Sequence, residues 1–144
     1  MSAPSQPAGR RSLAGLRLRK HTDYQRAYAS ARKRQSASMS WFIAAQPAAE
    51  PSDAGGQSTR IGLTAGKVLG KAHERNRIKR RMKEALRRHT DLLPRGFDLI
   101  FHPRRTVLTA DFAKLEAEIV RILEQANTEA ARLWAARAPA EPAP

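Results

Sequence analysis

The chain has 144 residues, no cysteine, and 27 Lys and Arg against 13 Asp and Glu, a formal net charge of +14. That length fits a single domain, and the lack of cysteine excludes disulfides and thiolate metal sites. No apolar run approaches the ~18–20 residues that span a bilayer, and the N-terminus lacks the apolar core of a secretion signal, so a cytoplasmic location is expected.

Residues 1–15 and 137–144 are small and Pro-rich with almost no large apolar side chain, which predicts disorder at both ends. The domain is expected over residues 16–127, followed by an Ala- and Pro-rich tail over 128–144. Thr22 can cap a helix, and Gln25 three residues later completes a capping box. Tyr24, Ala27, Tyr28 and Ala31 recur at helical spacing, so a first helix is predicted over 22–31. Residues 38–45 are short, apolar and aromatic and read as a strand. The Pro, Gly, Ser and Asp content of 46–59 marks a loop. Residues 60–65 alternate outward and inward side chains and should pair with the preceding strand. Gly66 and Gly70 bracket a turn carrying Lys67, and Lys71 follows it.

A basic helix is predicted over 72–89. At about 100° per residue, Ile78, Met82, Ala85, Leu86 and His89 form one apolar stripe, which places His89 in the core. Arg77, Lys79, Arg80, Arg81, Lys83, Arg87 and Arg88 cover the rest, opposed only by Glu74 and Glu84. Pro94-Arg95-Gly96 is a turn, Phe97 to Phe101 a buried strand ended by Pro103, and Thr109 a cap for a last helix. In that helix Phe112, Leu115, Ile119, Ile122 and Leu123 make the apolar stripe, and Ala-rich sequence continues it toward Trp134. The order is helix, two or three strands, helix, strand, helix: an α/β or α+β sandwich whose helices cover a small sheet.

The charge is localised. Residues 60–90 hold eleven Lys/Arg against two acids, residues 16–35 hold seven against one, and the remainder holds nine against ten. A solvated helix would mix signs, so two such segments point to an external polyanion. Nucleic acid fits better than an anionic membrane, because the stripe over 78–89 lacks the Trp and Phe of interfacial helices.

Four blocks in consistent order carry a resemblance: Thr22-Asp23-Tyr24-Gln25-Arg26-Ala27-Tyr28, Arg60-Ile61-Gly62-Leu63, Lys71-Ala72 with Arg75-Asn76-Arg77-Ile78-Lys79-Arg80 and Glu84-Ala85, and Leu93-Pro94-Arg95-Gly96-Phe97-Asp98-Leu99. Over roughly residues 16–126 the sequence resembles the protein subunit of bacterial ribonuclease P. The resemblance implies a fold like the second domain of ribosomal protein S5, with a left-handed β-α-β crossover. It implies a holoenzyme that removes the 5′ leader from precursor tRNA, in which the RNA subunit supplies the active site with bound Mg²⁺.

On that resemblance, Lys71, Arg75, Asn76, Arg77, Lys79, Arg80 and Lys83 are candidates for docking on the catalytic RNA. Arginine gives bidentate contacts to phosphate, and Asn76 either caps backbone groups or bonds a base or ribose. Arg17, Arg19, Lys20, Tyr24, Tyr28 and Lys67 are candidates for the leader-binding cleft, since single strands need stacking platforms beside cations. Both tyrosines also fit the apolar face of an amphipathic helix. Two departures from the family pattern stand out. Lys67 is followed by Val68 where two lysines are usual, and Ala44 takes the place of a strand aromatic, for which Trp41 is the substitute. The loop over 46–59 lies outside the matched pattern.

Nothing in the chain suits catalysis by the protein alone. The acids are scattered, the four histidines show no ligand or acid–base spacing, and no nucleophile motif or Gly-rich phosphate loop is present. The competing class is a ribosomal or architectural RNA-binding protein with no part in cleavage.

Overall fold

The computed structural model describes residues 13–46 and 58–137; most of the expected 46–59 loop and nearly all of the two expected disordered ends lie outside them. In chain order the elements are α1 (His21–Ser30), β1 (Arg34–Gln35), β2 (Met39–Ala45), β3 (Arg60–Leu63), α2 (Ala72–Arg87), β4 (Phe97–Pro103) and α3 (Phe112–Arg137). Short 3-10 turns at Ala14–Leu16, Lys67–Leu69, Thr90–Leu92 and Arg105–Leu108 join them. Leu13, inside the segment expected to be disordered, packs against the core beside Leu16.

The four strands form one mixed sheet in the order β1-β2-β4-β3. β2 runs antiparallel to β1 and to β4, while β3 runs parallel to β4. The sequence places β3 beside β2; the structure inserts β4 between them. The reason lies in burial. β4 is buried at every position but His102, whereas β3 is four residues long and carries a charged residue at its start, which suits an edge. Parallel neighbours need a crossover, and α2 supplies it between β3 and β4. The backbone at Arg17 adds a parallel bridge to Ile61, and the Leu18 N–H donates to the Ile61 carbonyl at 2.8 Å.

Period-2 alternation sends the sheet's side chains to two faces. Met39, Trp41, Ile43, Leu99 and Phe101 face a core shared with Ile78, Met82 and Leu86 of α2 and Leu115, Ile119 and Ile122 of α3. Each such side chain contributes about 1.5–3 kcal/mol by leaving water. Phe42, Ala44 and Ile100 face the other way, against Ala27 of α1 and Leu18. The molecule is therefore a three-layer sandwich.

Three helix ends differ from the sequence expectation. α1 starts at His21 behind Lys20, with no side-chain cap, so Thr22 lies inside the helix. α2 stops at Arg87, so His89 leaves the apolar stripe and its Nε2 meets the Glu116 carboxylate at 2.8 Å, partly exposed. Thr109 closes a 3-10 turn instead of capping α3; Asp111 takes that part, accepting from the Lys114 N–H at 3.3 Å. At the start of α2 the backbone needs Gly70, whose φ is 127° and whose absent Cβ leaves room for the Arg105 and Glu74 side chains.

Candidate nucleic-acid interface

α1 is held on its face of the sheet by charges. Asp98 of β4, 1% exposed, accepts from Arg60 of β3 at both oxygens, at 2.8 and 2.9 Å. The same guanidinium reaches Asp23 of α1 at 3.1 Å, and Asp23 also accepts from Arg26 at 2.8 Å. Burial alone would raise the Asp23 pKa, but the Arg26 hydrogen bond and the Arg60 and Arg26 charges hold it below the usual carboxylate range. The acids in this layer are thus committed to arginines.

Beside this network lies an aromatic cluster. The Tyr24 hydroxyl donates to the Leu18 carbonyl at 3.3 Å, and its ring lies over Gly62, where a Cβ would stand 2.7 Å from the phenol oxygen. Burial pushes the Tyr24 phenol pKa up. Gly62→Ala is expected to displace that ring and cost about 1–3 kcal/mol, read as a lowered midpoint in urea unfolding; an unchanged midpoint refutes the contact. Tyr28, one turn on, is 38% exposed. Its ring packs edge-on against Phe42 at 5.1 Å and His102 at 5.7 Å, and its hydroxyl lies 2.9 Å from His102 Nε2.

The geometry separates the two tyrosines that periodicity left equivalent. Tyr24 is a partly buried packing residue, while Tyr28 offers a ring to solvent. Trp41 does not join them: it is 1% exposed in the opposite core, so it cannot act as a stacking platform. Phe42 takes its place. The missed signal was parity, because Phe42, two residues from Ala44, shares its face, and Trp41 does not. Sequence reasoning also missed His102, which points to the α1 side from β4.

Arg17, Arg19 and Lys20 are exposed just before α1, and Lys67 is exposed in the turn after β3 beside Val68, which is 92% exposed. These four cations make no ion pair among the described residues.

α2 presents the second surface. Ile78, Met82, Ala85 and Leu86 are buried, as the stripe predicts. Arg81 is an internal fitting, donating to the carbonyls of Val107, at 2.9 Å, and Ala110, whereas Arg77 is exposed, with its Nε 3.4 Å from the Leu108 carbonyl. Arg87 and Arg88 are paired with Glu84, at 2.7 and 2.9 Å. Glu74 binds Arg105 at 2.7 Å and accepts from the Lys71 N–H at 2.9 Å, which lowers its carboxyl pKa to about 2. Glu74, not Asn76, therefore caps the helix start. Lys71, Arg75, Lys79, Arg80 and Lys83 form no ion pair among the described residues. The Arg75 Nε is buried without a hydrogen-bond partner.

Among the described residues no group of three or more His, Asp or Glu is arranged to hold a metal ion, and no helix is long and apolar enough to cross a membrane.

The sequence matches the family model described as Ribonuclease P over residues 14–127. A ribonuclease P protein component of Symbiobacterium thermophilum is 31% identical over 111 residues, 77% of this chain and 90% of that protein. One of Chloroflexus aggregans is 46% identical over 68 residues, 46% of this chain and 50% of that protein. Among solved structures, the ribonuclease P protein of Thermotoga maritima superposes with a TM-score of 0.63 at 24% identity, covering 76% of this chain and 96% of that one. The Staphylococcus aureus protein gives a TM-score of 0.62 at 22% identity, covering 77% and 94%. Those two share the mixed sheet and its helices. Family match, relatives and fold agree: the chain belongs to the ribonuclease P protein family, as a protein component of ribonuclease P.

Proposed function

We propose that the chain grips two RNAs at once. Lys71, Arg75, Asn76, Arg77, Lys79, Arg80 and Lys83 on and before α2 dock on the catalytic RNA, and the α1 face holds the 5′ leader of precursor tRNA. On that face Tyr28 stacks a base, at about 1–3 kcal/mol per base, and Phe42 backs it. Tyr24 shapes the floor, and Arg17, Arg19, Lys20 and Lys67 follow the phosphates. The observation that carries this reading is that unpaired cations cluster on α2 and again on the segment leading into α1, with the exposed Tyr28 ring beside the second cluster.

In this reading leader removal is hydrolysis carried out by the RNA subunit, in the cytoplasm. Mg²⁺ bound by that RNA and the substrate supplies charge neutralisation at the scissile phosphate. The protein positions the leader and screens repulsion between two polyanions. The test is reconstitution with a bacterial ribonuclease P RNA at low Mg²⁺, scoring 5′-leader removal. Strong stimulation over RNA alone, with no cleavage by protein alone, is expected. No stimulation would favour an architectural RNA-binding protein.

A further inference from the structure

We propose that Tyr28, Phe42 and His102 form a subsite for one nucleotide of single-stranded RNA, with His102 as the side chain that discriminates between bases. This rests on the leader-binding reading above and adds a specificity element to it.

β4 sends Asp98, Ile100 and His102 toward α1. Asp98 is closed off by Arg60, and Ile100 is fully buried. His102 alone of the three is partly accessible. It stands with two accessible rings, its centroid 5.3 Å from Phe42 and 5.7 Å from Tyr28. Rings alone would accept any base, because every base has a π-face. An imidazole does more. In its neutral form one nitrogen donates and the other accepts, so it can read the hydrogen-bonding edge of a base. Nε2 is engaged by the Tyr28 hydroxyl at 2.9 Å, and Nδ1 has no hydrogen-bond partner among the described residues. The pair therefore presents a polar edge at the rim of an apolar platform.

Charge around the ring favours the same use. Burial first, and the Lys33 ammonium second, hold the His102 pKa below its usual value, so the ring is neutral near pH 7. Lys33 is exposed in the connection from α1 to β1 and is placed to meet a phosphate. α1 contributes Tyr28 and Arg26, the latter paired with Asp23 and Asp98; β2 contributes Phe42 and Ser40; β1 contributes Gln35, which accepts from Arg104; and on β4 Asp98 is held by Arg60. A phosphodiester bound beside Lys33 offsets that ammonium and raises the proton affinity of His102. Leader binding should then tighten as pH falls below neutrality.

The experiment uses reconstituted holoenzyme and precursor tRNAs whose leaders are runs of U, C or A. Affinities are measured relative to mature tRNA, between about pH 7.5 and pH 5.5. His102→Phe keeps the ring and removes its nitrogens, His102→Gln keeps a donor and an acceptor, and Tyr28→Ala removes the platform. Unaltered affinity for the catalytic RNA shows that each variant is folded. The wild type is expected to separate the leaders by about three- to tenfold, the scale of one net hydrogen bond. It should also bind more tightly at the lower pH. His102→Phe should level both effects, and His102→Gln should keep base preference without the pH response. A role limited to pinning α1 would move neither readout. The inference is overturned if the wild type shows no base preference, or if His102→Phe keeps the wild-type profile while Tyr28→Ala weakens every leader; in both cases leader binding itself survives. If Tyr28→Ala leaves leader-dependent affinity intact, the leader-binding reading fails, and this inference with it.

Discussion

Replacing Arg75, Lys79 and Arg80 together by Ala is expected to weaken association with the catalytic RNA about a hundredfold at near-physiological salt. Each cation that neutralises a phosphate releases a counterion and contributes roughly 0.7–0.9 to the slope of log affinity against log salt. Three of them should therefore flatten that slope by about 2. These three are the informative choice because no acid competes for them among the described residues, whereas Arg87 and Arg88 are already spent on Glu84. Leader-dependent discrimination should persist once the complex is saturated. A triple variant with the wild-type salt slope would remove α2 from the docking surface.

The second large effect is on stability. Asp98→Ala should destabilise the fold by about 3 kcal/mol, seen as a lowered midpoint in urea at unchanged slope, because breaking a buried pair from one side leaves Arg60 with Asp23 alone. Arg60 is partly solvated, with 31% of its side chain exposed, which keeps the loss toward the low end of the 3–5 kcal/mol range. Arg132→Ala, which opens an exposed pair with Glu129, should cost under about 1 kcal/mol. Equal losses for the two would mean that the Arg60–Asp98–Asp23 cluster is not what holds α1 on the sheet.

Much of this was legible in the sequence, for identifiable reasons. The buried side of α2 follows from 3.6-residue periodicity, and the structure buries the same Ile78, Met82, Ala85 and Leu86. His89 broke the pattern because the helix ended two residues before it, and helix ends are where periodicity carries least. Pairing of β3 with β2 was the natural reading for consecutive strands, but pairing is decided by which strand is apolar on both faces, a comparison across the whole chain. Trp41 was misplaced for a related reason. β2 is buried on both sides, so hydrophobicity cannot say which side is which. Alternation from Ala44 does, and it puts Phe42 on the α1 side. The committed cations of α2 were invisible as well, since the carbonyls that bind Arg81 come from Val107 and Ala110, far along the chain.

The place of β4 in the sheet has a consequence for biosynthesis. The strand that separates β2 from β3 is the last of the four to leave the ribosome, so until about residue 103 has emerged β2 has only the two-residue β1 beside it and β3 only the bridge at Arg17. Until then the ring-bearing side of the nascent chain and its crossover helix lack a common scaffold. Acquisition of a defined shape should thus be abrupt and late, and translation stalled before that point should yield a species that proteases degrade readily.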